Sequence, residues 1–215
     1  MGFMDCRVRV SIIVCVLLTV LAACASPYLE AGLGRINRPI DVVWAGADKF
    51  IYVPGPPGRN FGFETAQTGR IIEPGLMYTD GGSIPRIAQI FRPFSPWGYG
   101  PAYIVHDWIF YGRYCELDAA DVDPAYEDYK RFADVNGDPR RPNTPYYHRI
   151  SFHGSAQVLA EVIKTIEDNQ QVGLHKVPAQ FITSAVDSLF ASALWEAHNQ
   201  CSRLRVTPRH MLMPW

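Results

Sequence analysis

The sequence predicts an α+β fold in which a small antiparallel β unit is followed by three helices, the first of them carrying a His-Asp pair. Three observations predict it. Short alternating apolar segments, separated by Pro and Gly, fill the first third of the chain. Apolar residues at three- and four-residue spacing fill the rest, and the change of period falls near Pro101. The chain shows no internal repeat, and 215 residues suit one core of ordinary size.

Before the fold comes an address. Arg7 and Arg9 lead into an apolar run from Val10 to Ala23 that ends at Leu21-Ala22-Ala23-Cys24. A charged stretch, an apolar segment short for a membrane span and small residues at a cut site read as an export signal over residues 1 to 23. Cys24 resembles the lipobox cysteine that is acylated and becomes the new N-terminus. Ala25 is not aspartate, which favours the outer membrane, facing the periplasm, in a Gram-negative envelope. Residues 24 to 38, with their Gly, Pro and small residues, read as a tether, so the globular domain is expected over 39 to 200 and a tail over 201 to 215.

Within the domain, Ile40 to Val43 and Phe50 to Val53 alternate as strands and end at Pro54-Gly55-Pro56-Pro57-Gly58. Arg70 to Thr79 reads as a hairpin around Pro74-Gly75. A first helix starts at Pro101, which suits a first turn, and Tyr103, Ile104, Trp108 and Tyr111 recur along it. Residues 133 to 146 hold too many breakers for a regular element and read as an exposed loop. A second helix carries Phe152, Ala156, Leu159, Ile163 and Ile166 on one stripe, and a third runs from about Pro178 to Asn199.

Charge excludes one class of partner. The formal net charge of -1 and the lack of a basic stripe leave no phosphate-neutralising surface, so nucleic acid is not expected. Arg203, Arg205 and Arg209 read as a solvated end. Of five cysteines, Cys6 and Cys15 leave with the signal and Cys24 takes the lipid, so the folded part keeps Cys115 and Cys201. Export allows these two to form a disulfide; two free buried thiols are the other reading, since sequence does not report their Cα separation.

Two clusters carry residues suited to chemistry: Thr79-Asp80-Gly81-Gly82-Ser83-Ile84-Pro85, and Pro101-Ala102 with His106-Asp107-Trp108. His106 and Asp107 interrupt an apolar helix, where a carboxylate must be protonated, paired or metal-bound. Neighbours on a helix point about 100° apart, so the two side chains do not serve each other but address adjoining points of one site. Asp80 sits in a glycine-rich turn whose carbonyls can converge on a hard cation. The bland alternative is that His106 and Asp107 bond loop amides and that the turn only turns. Asp134, Asn136 and Asp138 open like a calcium loop, but Pro145 stands where that loop needs Glu. His153 reads as a helix-flank residue.

On these residues two resemblances rest. Ile72-Glu73-Pro74-Gly75, Tyr78 to Pro85, Pro101-Ala102 and His106-Asp107, with Val177-Pro178-Ala179, resemble a domain-of-unknown-function family of bacterial and phage proteins, which brings no activity. The segment from the Asp-Gly turn to Tyr111 is also similar to the prokaryotic secreted calcium-dependent phospholipases. That resemblance implies His106 as general base, Asp80 and Asp107 as calcium ligands with Gly81 as a backbone ligand, and calcium polarising an ester carbonyl. Two departures stand against it: the next helix offers Glu161 and His153 but no aspartate before Asp168 to orient the histidine, and Gly82 replaces the loop cysteine.

Two functions are therefore carried forward. One is an envelope lipoprotein with a calcium-dependent lipid or ester hydrolase-like site, in which Asp80, His106 and Asp107 converge at an apolar opening. The other is a non-enzymatic envelope or phage-derived lipoprotein that binds a cell-envelope component, with the His-Asp pair structural and shut from solvent. A metal-dependent peptidoglycan hydrolase is weaker, because no His and Cys spacing suggests zinc.

Overall fold

The computed structural model describes residues 26–46, 49–56, 59–79, 99–121, 137–138, 141–145, 150–169 and 176–206. Cys24, Asp80, Gly81, Gly82 and Asp134 lie outside them. The chain is α+β. In order it forms α1 (Pro27–Glu30), β1 (Arg35–Ile36), β2 (Val42–Gly46), β3 (Lys49–Tyr52), β4 (Phe63–Glu64), β5 (Ile71–Ile72) and β6 (Met77–Thr79). Then come α2 (Gly100–Asp121), β7 (Gly137–Asp138), β8 (Arg141–Pro145), α3 (Phe152–Asp168), α4 (Lys176–Val186), α5 (Leu189–Trp195) and α6 (Cys201–Leu204).

The strands form two small antiparallel sheets, ordered β1-β4-β5 and β2-β3-β6, and a separate β7-β8 ribbon. The expected pairing of the strands near 42 and 52 is present, with Val43 opposite Ile51. The expected hairpin around Pro74-Gly75 is not. β5 pairs with β4, through Phe63 and Ile72, while β6 pairs with β3, through Ile51 and Tyr78, so the chain changes sheet between them. The crossing works because Gly75 has no side chain: a Cβ there would lie 2.6 Å from the Trp108 ring of α2. Gly75→Ala is therefore expected to cost about 1–3 kcal/mol through overpacking, read as a lower urea midpoint.

α2 is the central element. Every residue from Ala102 to Gly112 is buried, so it is apolar on all sides rather than striped. It packs on α3, on β6 and, through its later turns, on α5 and α6. α3 begins at Ser151, whose side chain accepts a hydrogen bond from the Gly154 amide at 3.0 Å, and it buries Ala156, Leu159, Val162, Ile163 and Ile166. The expected third helix is two helices. Ser188 takes an extended backbone and its hydroxyl accepts from the Ala191 amide at 3.3 Å, capping α5 and ending the continuity with α4.

Three further expectations are corrected. Residues 137 to 145 were expected to hold no regular element, yet β7 and β8 pair there. The stretch expected as a tether is packed from Ser26 onward. The Ser26 hydroxyl lies 3.1 Å from that of Thr183, Tyr28 donates to Glu167 at 2.6 Å, Lys164 donates to the Ala31 carbonyl at 2.6 Å, and the Gly34 amide donates to Thr165 at 3.0 Å. Its small residues serve close approach rather than slack, since a Cβ on Gly34 would overlap the Phe63 ring. At the other end, Cys201 and Val206 are buried, so the expected tail joins the core at its start. Cys115 of α2 and Cys201 of α6 form a disulfide with a Cα separation of 4.7 Å, resolving the two readings left open for these cysteines.

Candidate functional site

The His-Asp pair sits about two turns inside α2, with 3% of His106 and 7% of Asp107 exposed. Burying these groups is costly unless partners meet them, so their partners define the site. Among the described residues Asp107 has one: Thr79, the last residue of β6, donates its hydroxyl to Asp107 Oδ2 at 2.5 Å. The hydroxyl donates because a carboxylate can only accept. The hydrogen bond fastens β6 to α2 at the residue that immediately precedes Asp80.

His106 is held differently. Its Nδ1 lies 3.8 Å from Asp107 Oδ1, beyond hydrogen-bond reach but close enough for the two charges to interact once the ring is protonated. The expectation that the neighbours cannot serve each other thus stands for hydrogen bonding, but not for electrostatics. The His106 ring packs against Phe110, one turn on, at 4.6 Å between centroids. Its Nε2 is buried and has no hydrogen-bond partner among the described residues.

Tyr103 lies one turn before Asp107. Burial first, and then the Asp107 charge, raise the pKa of its hydroxyl well above the usual phenol value, so it stays protonated and able to donate. That hydroxyl likewise finds no partner among the described residues. Two buried polar atoms, a ring nitrogen and a phenol, thus flank one carboxylate on adjacent turns of one helix.

No acidic side chain of α3 orients His106. Glu161, 1% exposed, accepts from the Ala66 amide at 2.7 Å. Burial raises its pKa, and the Ala66 and Gln67 amides partly offset the rise. Glu167 accepts from Tyr28 at 2.6 Å and Tyr99 at 2.9 Å. His153 pairs through Nδ1 with Asp187 at 2.8 Å and is half exposed, the helix-flank role expected of it. Of the two buried glutamates, Glu161 was noted from the sequence on the second helix, and Glu167 was not. Its signal was position: Glu167 follows Ile166 and stands four residues after Ile163 on the buried side of α3.

Among the described residues no group of three His, Cys, Asp or Glu side chains is placed to hold a metal. Calcium takes about six to eight oxygens, of which Asp107 Oδ1 offers one that accepts no hydrogen bond among the described residues. Asp80 and Gly81, the other expected ligands, lie outside them.

The Thr79 contact predicts an effect of its own. Thr79→Val removes the donor and leaves Asp107 buried, and is expected to cost about 1.5–3 kcal/mol in urea unfolding, with Thr79→Ser restoring most of it.

No family model matches this chain, and neither a curated protein nor a solved structure matches it.

Proposed function

We propose that the protein is a lipid-anchored envelope protein whose centre is a hydrolase-like site for a lipid or other ester, built on His106 and Asp107. In this reading His106 is the general base, and Asp107, Asp80 and the Gly81 carbonyl hold calcium. The observation that carries it is the hydrogen bond from Thr79 to Asp107. It fastens the residue before Asp80 to the residue after His106, so Asp80 begins one peptide unit, about 3.8 Å between Cα atoms, from a residue in contact with Asp107.

The chain's own groups have clear tasks there. His106, with one ring nitrogen unpartnered among the described residues, takes a proton from water as the water attacks the ester carbonyl, and returns it to the alcohol oxygen as the ester C–O bond breaks. The Asp107 carboxylate, 3.8 Å from the other nitrogen, stabilises the imidazolium that results. Tyr103, kept protonated, is a donor beside them. Calcium bound at Asp107 would polarise the carbonyl and stabilise the oxyanion. The envelope half of the reading is supported by the signal-like segment ending at Cys24 and by the Cys115–Cys201 disulfide, which suits an oxidising compartment. Among the described residues no helix is long and apolar enough to cross a membrane. The attachment proposed is the lipid on Cys24, the residue that ends the signal-like segment.

A second reading is favoured by burial. With 3% and 7% exposed, His106 and Asp107 also suit a brace between β6 and α2 in a non-enzymatic lipoprotein that binds an envelope component.

Turnover separates the two. A soluble chain beginning at Ser26 is assayed on a fluorogenic phospholipid and a short acyl ester, with calcium or with chelator. His106→Gln is expected to lower the rate at least about 100-fold while the melting temperature stays within a few degrees, and Asp107→Asn to abolish the calcium response. Absence of turnover on both esters, with no heat of calcium binding, would leave the bracing role.

A further inference from the structure

We infer that the domain seats directly on the bilayer, with the surface around α1 as its docking face and lipid as its partner; this rests on the lipid-anchor reading of Cys24. A lipoprotein with a long tether lets its domain float free. This one has almost no tether, because Ala25 alone stands between Cys24 and Ser26. Ser26 is 4% exposed, and its hydroxyl lies 3.1 Å from that of Thr183 and 3.4 Å from the Gln180 carbonyl, both on α4. Pro27 and Tyr28 follow it into the core, and Tyr28 is fixed to Glu167 on α3.

The reach follows from backbone dimensions. From Cys24 to Ser26 the chain spans at most about 7 Å. That is comparable to one headgroup layer, about 5–7 Å from the difference between total and hydrocarbon thickness. With acyl chains in the hydrocarbon, the folded body begins at the headgroup level.

Near that point the body presents two exposed leucines, beside the exposed Glu30. Leu29 of α1 is 60% exposed and Leu33 is 53% exposed, while Ala31 between them is buried. α1 keeps Leu29 within about 5 Å of Ser26 along its axis. Exposed leucines scattered over a surface need no explanation, but these two follow the attachment point directly, where water would be displaced by lipid.

The test uses the full chain, acylated and reconstituted in phosphatidylethanolamine–phosphatidylglycerol vesicles. Leu29→Cys and Leu33→Cys each give one labelling site, since Cys24 carries lipid and Cys115 and Cys201 are bonded to each other. A polarity-sensitive dye at either position is expected to shift to the blue and to be quenched by lipids brominated near the headgroup. Quenching should fall at least twofold when a Gly-Ser insert of about twelve residues between Ala25 and Ser26 adds roughly 20 Å of slack. A dye that stays as accessible to aqueous iodide as in lipid-free protein, on a chain whose N-terminal peptide has the mass of acylated Cys24, overturns the seating and leaves the anchor standing. An unacylated N-terminal peptide overturns both.

Discussion

Replacing Cys115 and Cys201 together by alanine is expected to lower the unfolding free energy by about 4 kcal/mol. The disulfide closes a loop with a sequence separation of 86 residues, and the chain-entropy account gives a loop of that size roughly 4.5 kcal/mol. It joins α2, which carries the His-Asp pair, to α6 at the end of the described chain. Both sulfurs belong to residues 0% and 1% exposed, so a reductant should act on the folded protein only through opening. Urea titrations of the double variant and of the parent, with and without reductant, measure the effect. A loss below about 1 kcal/mol would mean that the unfolded chain is already constrained elsewhere.

Replacing Tyr28 and Tyr99 together by phenylalanine is the second large effect, expected at about 4 kcal/mol. The two hydroxyls donate to opposite oxygens of Glu167, at 2.6 and 2.9 Å, and Glu167 is 2% exposed. Hydrogen bonds to a charged group contribute about 1.5–3 kcal/mol each, and removing both leaves a carboxylate buried without these donors. Glu167→Gln, which keeps an acceptor and adds a donor, is expected to lose less. The arrangement also sets a pH dependence. Burial, and then the hydrogen bond to Glu167, raise the pKa of both hydroxyls above the ordinary tyrosine value. The folded state therefore holds protons that the unfolded chain releases above about pH 10, so stability is full below that pH and falls as pH rises. Tyr52, pushed up to about 12 by burial, adds to the same alkaline slope. The double phenylalanine variant should show a shallower slope between pH 10 and 12.

Much of the architecture could be read along the chain. The start of α2 next to Pro101, the stripe of α3 and the pairing of β2 with β3 are local properties, set by spacing and punctuation over a few residues. The Pro74-Gly75 turn misled because proline and glycine mark a change of direction without naming the partner strands. The small-residue stretch after Cys24 misled because its composition suits slack and close packing equally. Its fate depended on Thr183, Glu167 and Thr165, more than a hundred residues away.

The candidate site divides the same way. His106 and Asp107 could be picked out because polar residues inside an apolar helix need a reason. Thr79 stood out only as part of its cluster, since its role rests on contact with a residue 28 positions on.

By itself the sequence determined the α+β class, the helix that carries His106 and Asp107, and the two cysteines that fall within the folded part. The tertiary structure alone decided that those cysteines pair, that Thr79 meets Asp107, that Glu167 is a buried acceptor and that the chain is fixed from Ser26. The physical reason is range. Backbone sterics and hydrophobic period act between neighbours, whereas the burial of a polar group depends on a donor that only the closed fold brings to it.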